Sequence, residues 1–312
     1  MNIDINVLDE SEKIIFALRS LYSRYGYERY RMGKFEEYDL YSRNKDFLVS
    51  DSVITFTDTN GKLMALKPDV TLSIIKNSKD TPDAVNKLYY NENVYRVSKG
   101  SNSFREIMQT GLECIGNVDE NCIKEVLKLA AESMGEVTDE CMLEVSNLEI
   151  LSGLTDAVPA SGDVKKSLIK CIREKNRHGI RKICSENDID ESLAEDLCEL
   201  VSIYGRPDEI MDRLSSLCGK YGLETEADRL AQVVSVFDGT PVKGRVVIDF
   251  SEVSDMNYYN GIIFRGFISG VPDSVLSGGQ YDRLMKKMGR RSKAIGFAVY
   301  LDKLHGLMNR RS

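Results

Sequence analysis

Phe104-Arg105-Glu106-Ile107-Met108-Gln109-Thr110-Gly111-Leu112-Glu113 is the stretch from which the architecture of this chain is read. From Phe104 to Gly116 the pattern is that of a strand, with alternation around Met108, Gly111, Leu112 and Cys114. Successive strand side chains point to opposite faces, so Gln109 and Glu113, four apart, share one face and point into one pocket. Just upstream, Lys87 to Val97 (KLYYNENVYRV) reads as a second strand. Further back, Ser52–Thr57 and Leu63–Leu66 flank Asp58-Thr59-Asn60-Gly61, and an Asn-Gly step between two short apolar runs predicts a hairpin. A helix through Ile74, Ile75 and Asn77 follows Lys67-Pro68-Asp69.

Outward from this region, residues 8–26 carry Ile14, Ile15, Leu18, Leu21 and Tyr22 at the spacing of one buried helical face. A cap at Asp9 or Ser11 begins that helix and Gly26 ends it. Tyr27 to Leu48 mixes strand-like and turn segments. Residues 117–135 repeat the helical pattern with Ile123, Val126, Leu127, Leu129 and Ala130. Between Ala160 and Val236 the chain becomes dense in Lys, Glu, Asp, Leu and Ser, with helical periodicity over 163–175, 191–204, 207–220 and 225–237. Strand patterns return at Arg245–Phe250 and Gly261–Ile268. Gly278-Gly279 reads as a turn, and Ala294–Met308 begins as a strand and ends as a helix. Strands that run in sequence without regular helical crossovers make this an α+β fold, an antiparallel sheet flanked by helices. The domain reading is a core of residues 1–158 and 240–312 holding a helical insertion of residues 159–239.

Composition narrows the function. At 312 residues and 42% hydrophobic content the chain fills a real core. No apolar run approaches the roughly 18 residues of a membrane span, and Met1-Asn2-Ile3-Asp4 lacks a basic region before an apolar stretch, so the expectation is a cytoplasmic protein. The seven cysteines include no C-x-x-C pair, and His178 and His305 lie far apart. Neither a disulfide framework nor a metal site is expected. The net charge of −7 disfavours phosphate-backbone binding, and neither G-x-G-x-x-G nor the P-loop pattern occurs.

Three stretches carry chemistry together. They are Leu66-Lys67-Pro68-Asp69-Val70-Thr71; then Tyr95-Arg96 with the Phe104–Glu113 segment; and finally Asn257-Tyr258-Tyr259-Asn260-Gly261, followed by Gly278-Gly279-Gln280-Tyr281-Asp282-Arg283-Leu284 and Gly296-Phe297-Ala298. A zwitterionic amino acid with an imidazole needs acceptors for its ammonium and ring N–H, a donor for its carboxylate and flat walls for the ring. Asp69, Thr71, Gln109 and Glu113 supply acceptors; Tyr259 and Tyr281 supply walls with polar tips. Taken singly, Asp69 is equally a helix cap after Pro68, Glu113 a solvated strand residue and each tyrosine an ordinary half-buried aromatic.

In this order and spacing the three stretches resemble the catalytic core of class II histidyl-tRNA synthetases, and the likeness spans nearly the whole chain. It includes Arg24-Tyr25-Gly26-Tyr27 in the dimer-forming first motif. The resemblance implies a histidine pocket of Asp69, Thr71, Arg96, Gln109, Glu113, Tyr258, Tyr259 and Tyr281. In it Asp69, Thr71 and Gln109 hold the ammonium group while Glu113 and Tyr259 read the imidazole.

The chain also departs from the synthetases. Arg96 and Arg105 stand where the second motif places arginines, but Ser254 stands where R-G-L-D-Y-Y begins, Lys303 where the third motif ends in arginine, and Ser98 where F-R-x-E has its acid. Arginine clamps the triphosphate through a planar fork that lysine lacks, and the loss of one such group costs on the order of 3–4 kcal/mol of barrier. The chain stops at Ser312, shortly after that motif, where a synthetase continues into an anticodon-binding domain. With these losses the chain resembles the regulatory subunits that accompany short-form ATP phosphoribosyltransferase. The resemblance implies a non-catalytic partner of the short catalytic subunit, with no cofactor, no catalytic residue of its own and no tRNA or membrane partner. It further implies a homodimer within a hetero-oligomer, with free histidine as the feedback effector. The alternative is a divergent synthetase-like ligase that still forms an aminoacyl-adenylate; Ser254 and Lys303 stand against it.

Overall fold

The computed structural model describes residues 7–48, 52–97, 103–251 and 258–304; Ser98, Ser254 and His305 lie outside them. The first helix, α1 (Glu10–Arg24), opens with a capping box. The Asp9 carboxylate accepts from the Glu12 amide at 2.8 Å, and the Glu12 carboxylate accepts from the Asp9 amide at 2.9 Å. Its buried face is Ile15, Leu18, Leu21 and Tyr22, and Gly26 beyond it takes φ +80°. Then come β1 (Glu28–Arg29), β2 (Phe35–Glu37), the short helix α2 (Tyr38–Ser42), β3 (Thr55–Thr57) and β4 (Leu63–Leu66). Strands β3 and β4 form the expected hairpin: Asp58 accepts from the amides of Asn60 and Lys62, both at 2.8 Å, and Gly61 supplies the positive φ. With β2 they make a small sheet of order β2-β4-β3.

Helix α3 (Thr71–Asn77) leads into two long strands, β5 (Val85–Val97) and β6 (Phe104–Gly116), antiparallel from Val85↔Gly116 to Val97↔Phe104. After α4 (Glu120–Val137) come β7 (Cys141–Asn147) and α5 (Leu148–Asp156). A helical run follows, α6 (Gly162–Arg173), α7 (Arg177–Glu186), α8 (Glu191–Ser202), β8 (Tyr204–Gly205), α9 (Pro207–Gly219) and α10 (Glu224–Val234). The chain then returns through β9 (Val246–Asp249), β10 (Ile262–Ile268), β11 (Leu276–Gln280), α11 (Asp282–Lys287) and β12 (Lys293–Tyr300), and closes in a 3₁₀ turn at Leu301–Leu304. Among the described residues no helix is long and apolar enough to cross a membrane.

The main sheet has the order β1-β5-β6-β12-β11-β10-β7-β9-β8. It is antiparallel except at β1·β5 and β7·β9, so the α+β reading stands, with a parallel pair near each edge. Leu112 and Cys114 of β6 join the apolar cluster that holds α1 and α4, where Tyr22 meets Ser133 at 3.0 Å. Ile107 and Ile115 join a second cluster on the opposite face, with Leu72, Ile75 and Leu284. The period of two thus divides β6 into a helix-facing set and a set that faces α3 and α11.

The turn expected at Gly278-Gly279 is instead the middle of β11. Packing, not backbone reversal, requires glycine there. A Cβ on Gly278 would strike the Phe297 side chain and the Gly296 carbonyl, and one on Gly279 would lie 2.9 Å from the Ile262 carbonyl and from the Tyr259 ring. Helix α7 and the segment β7–α5 lie outside the spans that the sequence pattern predicts. Gly278→Ala is expected to cost about 1–3 kcal/mol by overpacking, seen as a lower urea midpoint with an unchanged m-value. An unaltered midpoint would mean that the sheet relaxes freely around this position.

Candidate functional site

Glu113 sits at the centre of the face that β6 turns toward α3, and it is only 2% exposed. Thr71, the first residue of α3, donates its hydroxyl to one carboxyl oxygen at 2.7 Å, and Tyr281, just before α11, donates to the other at 2.5 Å. Two elements far apart in sequence are thereby tied to one strand residue. Burial pushes the Glu113 carboxyl up to about 8; the Tyr281 and Thr71 hydroxyls oppose the shift and the nearby Asp69 charge adds to it. Asp69 accepts from the Leu72 amide at 2.8 Å, the cap role a proline-aspartate step suggests, and still borders the cavity. Its pKa is raised by burial, against the Leu72 hydrogen bond and the Arg96 charge.

Around this carboxyl lies a cavity of about 610 Å³. Its floor is made of small residues because the sheet rows demand it. Glu113, Gly296, Gly279 and Ile263 are direct neighbours across β6, β12, β11 and β10, and the next row is Gly111, Ala298, Ser277 and Arg265. A Cβ on Gly296 would collide with the Glu113 carboxylate, and one on Gly111 would come within 2.6 Å of the Tyr90 hydroxyl. The walls are aromatic: Tyr258 stands 4.7 Å from Tyr259 and 5.9 Å from Tyr281, centroid to centroid, with Phe47 6.3 Å beyond. Burial holds the Tyr258 and Tyr281 phenols protonated, far above their ordinary range.

All eight residues singled out in the sequence line this one cavity. Asp69, Thr71, Arg96, Gln109 and Glu113 come from the first half of the chain; Tyr258, Tyr259 and Tyr281 come from the second. Arg96 reaches it from β5 with its Nε donating to the Pro68 carbonyl at 3.0 Å. Sequence reasoning missed Tyr90, Ser277, Tyr300, Arg173 and Arg265, which also border it. The period-two signal would have found Tyr90, two residues before Glu92 on the face of β5 that carries Val94; Arg173, at the end of α6, has no such signal. Lys303 lines the cavity too. Its Nζ donates to the Ser274 carbonyl at 2.9 Å and lies 5.0 Å from the Tyr300 ring centroid, and burial lowers its pKa. No cluster of potential metal ligands occurs among the described residues.

The family profile described as histidyl-tRNA synthetase matches residues 7–304. A protein of Clostridium kluyveri named ATP phosphoribosyltransferase regulatory subunit is 30% identical over 91% of this chain and 74% of its own length. The chain belongs to the histidyl-tRNA synthetase family, in its branch of ATP phosphoribosyltransferase regulatory subunits. A second such subunit, from Acetivibrio thermocellus, is 26% identical over 94% of this chain and 71% of its own. Among solved structures, the Bacillus halodurans ATP phosphoribosyltransferase regulatory subunit/histidyl-tRNA synthetase superposes with TM-score 0.81 at 22% identity, covering 94% of this chain and 78% of that one. A chain of the Thermotoga maritima ATP phosphoribosyltransferase complex superposes with TM-score 0.73 at 19% identity, covering 96% and 97%. The class II synthetase-like fold is therefore shared.

The buried carboxyl has a thermodynamic signature. Its folded pKa lies above the ordinary 4.5, so the native state binds the proton more tightly than the unfolded chain does, and stability present at low pH is lost as pH rises toward 8. The slope from this one group reaches at most about 1.4 kcal/mol per pH unit. Urea denaturation of the protein and of Glu113→Gln at pH 5 and pH 8 should show that decline only with the glutamate present. Parallel pH profiles would place the carboxyl in a far more solvated setting.

Proposed function

We propose that this chain is a non-catalytic regulatory subunit of ATP phosphoribosyltransferase that binds free histidine in the cavity around Glu113. In this reading a short-form catalytic subunit is its partner, and histidine occupancy is the feedback signal for the first step of histidine biosynthesis. The observation that carries the reading is the convergence of all eight histidine-suited residues on one cavity. The names of the relatives from Clostridium kluyveri and Acetivibrio thermocellus, and the Thermotoga maritima complex, support the partner.

Asp69, Thr71 and Gln109 hold the ammonium group. Glu113 and Tyr259 read the ring, and Tyr258 and Tyr281 flank it. Each carboxyl oxygen of Glu113 already takes one hydroxyl and keeps a further lone pair for an imidazole N–H. A synthetase additionally needs cations that hold the triphosphate during adenylation. Lys303, standing where the family has arginine, is engaged by the Ser274 carbonyl, which supports the absence of that step. Residues 159–239 are then an insertion into a core of 1–158 and 240–312, with Arg173 of α6 its contribution to the cavity. The working assembly is a homodimer within a hetero-oligomer.

Calorimetry with free histidine should show binding. Glu113→Ala or Tyr259→Ala should weaken it at least about ten-fold, the scale of losing a hydrogen bond to a charged or ring group, and relax feedback in the reconstituted transferase. Activation of the catalytic subunit should persist in both variants. Robust histidine-dependent ATP–pyrophosphate exchange by the chain alone would sink the non-catalytic assignment.

A further inference from the structure

Tyr90 stands on β5 directly opposite Gly111 of β6 and borders the cavity. Its ring belongs to the apolar cluster that holds Leu72, Ile75 and Val94, and the residue is only 2% exposed. The hydroxyl reaches past that cluster to the strand beside it, where a Cβ on Gly111 would stand 2.6 Å away. Gly111 lies midway between Gln109 and Glu113, and the period of two puts all three on one face. The Tyr90 hydroxyl therefore opens between the two β6 side chains assigned above to the ammonium group and to the ring. Two other phenols on this cavity are occupied: Tyr281 donates to Glu113 at 2.5 Å, and the Tyr300 and Ser277 hydroxyls lie 2.7 Å apart. The Tyr90 hydroxyl forms no hydrogen bond with another described residue. A buried hydroxyl without a protein partner costs stability, and a phenylalanine would fill the same space without that cost.

We propose that Tyr90 is a further ligand-binding residue of this cavity, its hydroxyl oxygen accepting an N–H of the bound amino acid between Gln109 and Glu113. The proposal rests on the histidine reading above and adds to it a contact that the sequence did not single out. Burial, with the Glu113 and Asp69 charges adding to it, holds the phenol protonated, well above its ordinary range. The oxygen keeps its lone pairs, and the two carboxyls beside it favour a ligand N–H at this point over a ligand acceptor. Free histidine carries such N–H groups at both its ammonium and its imidazole. A hydroxyl that bonds the ligand and nothing in the protein contributes to affinity without contributing to the fold. Binding and stability therefore part company at this one oxygen, which a tyrosine kept for packing would not show.

Tyr90→Phe removes that oxygen and keeps the ring, and two measurements on the whole chain read the result. By calorimetry, L-histidine should bind the variant about ten-fold more weakly than the wild type, the scale of one hydrogen bond to a charged or ring N–H. Without ligand, the variant should unfold at a urea midpoint equal to or above that of the wild type, with an unchanged m-value. Imidazole propionate, which keeps the ring and the carboxylate and lacks the ammonium, identifies the donor. If the variant binds it as well as the wild type does, the contact belongs to the ammonium; an equal ten-fold loss assigns it to the imidazole. Unchanged histidine affinity in folded Tyr90→Phe would overturn the assignment while leaving the histidine pocket intact. A lowered midpoint or a lost fold would overturn it as well, since the hydroxyl would then serve the core. Failure of the wild type to bind histidine would overturn the pocket reading itself, and the assignment with it.

Discussion

The carboxyl of Glu113, shared between the Thr71 and Tyr281 hydroxyls, is the interaction on which the rest of this structure depends. It joins the first residue of α3, the C-terminal part of β6 and the residue that leads into α11, a closure of 168 residues in the longer of its two bonds. Burying a carboxyl this deeply is costly, and burial lifts its proton affinity toward neutrality. Two neutral hydroxyls soften that cost without cancelling it. A group held at such expense in the middle of a cavity is a candidate for ligand binding on physical grounds alone, before any relative is consulted.

The sheet is built around that residue. Gly296 and Gly279 sit directly beside Glu113 across the next two strands, and a side chain at Gly296 would overlap the carboxylate itself. Gly111, one row away, has no space for a Cβ beneath Tyr90. Strand interiors ordinarily avoid glycine because it packs nothing and adds backbone freedom to the unfolded chain. Here the missing side chains are what opens a trough on an otherwise filled sheet. The opposite face compensates: Tyr22, Leu112, Phe297 and the α1–α4 pair bury a continuous apolar cluster with no comparable gap.

Much of this could be read from the chain. The α1 capping box, the Asn-Gly hairpin, the two long strands and the four helices α6, α8, α9 and α10 follow from local periodicity and cap chemistry, and the structure places them within a few residues of the expected spans. The convergence of eight site residues was legible only through family order, since nothing local says that Asp69 and Tyr281 meet. What escaped reading did so for identifiable reasons. Gly278-Gly279 carries a turn signal locally, and only the tertiary neighbours Phe297 and Tyr259 turn it into a packing signal. Arg265 lies in IIFRGFI, where one charge among apolar residues reads as an outward-facing strand position; its row partners alone reveal that outward here means into the cavity.

The balance of retained and altered groups separates two kinds of binding. A ligase gains rate only from contacts that strengthen as the transition state forms, so its cations are arranged around a developing charge on phosphorus. A sensor needs only ground-state affinity and a difference in that affinity between two states of its assembly. Under the proposed reading, Asp69, Thr71, Gln109, Glu113 and the tyrosines are ground-state groups: each answers a charge or dipole that free histidine already carries. Lys303, held by a backbone carbonyl where the family has an arginine fork, belongs to the other class. Under the proposed reading the cavity keeps what recognition requires and has lost reach where adenylation would demand it, the pattern expected when a synthetase pocket is used to measure its amino acid and not to activate it.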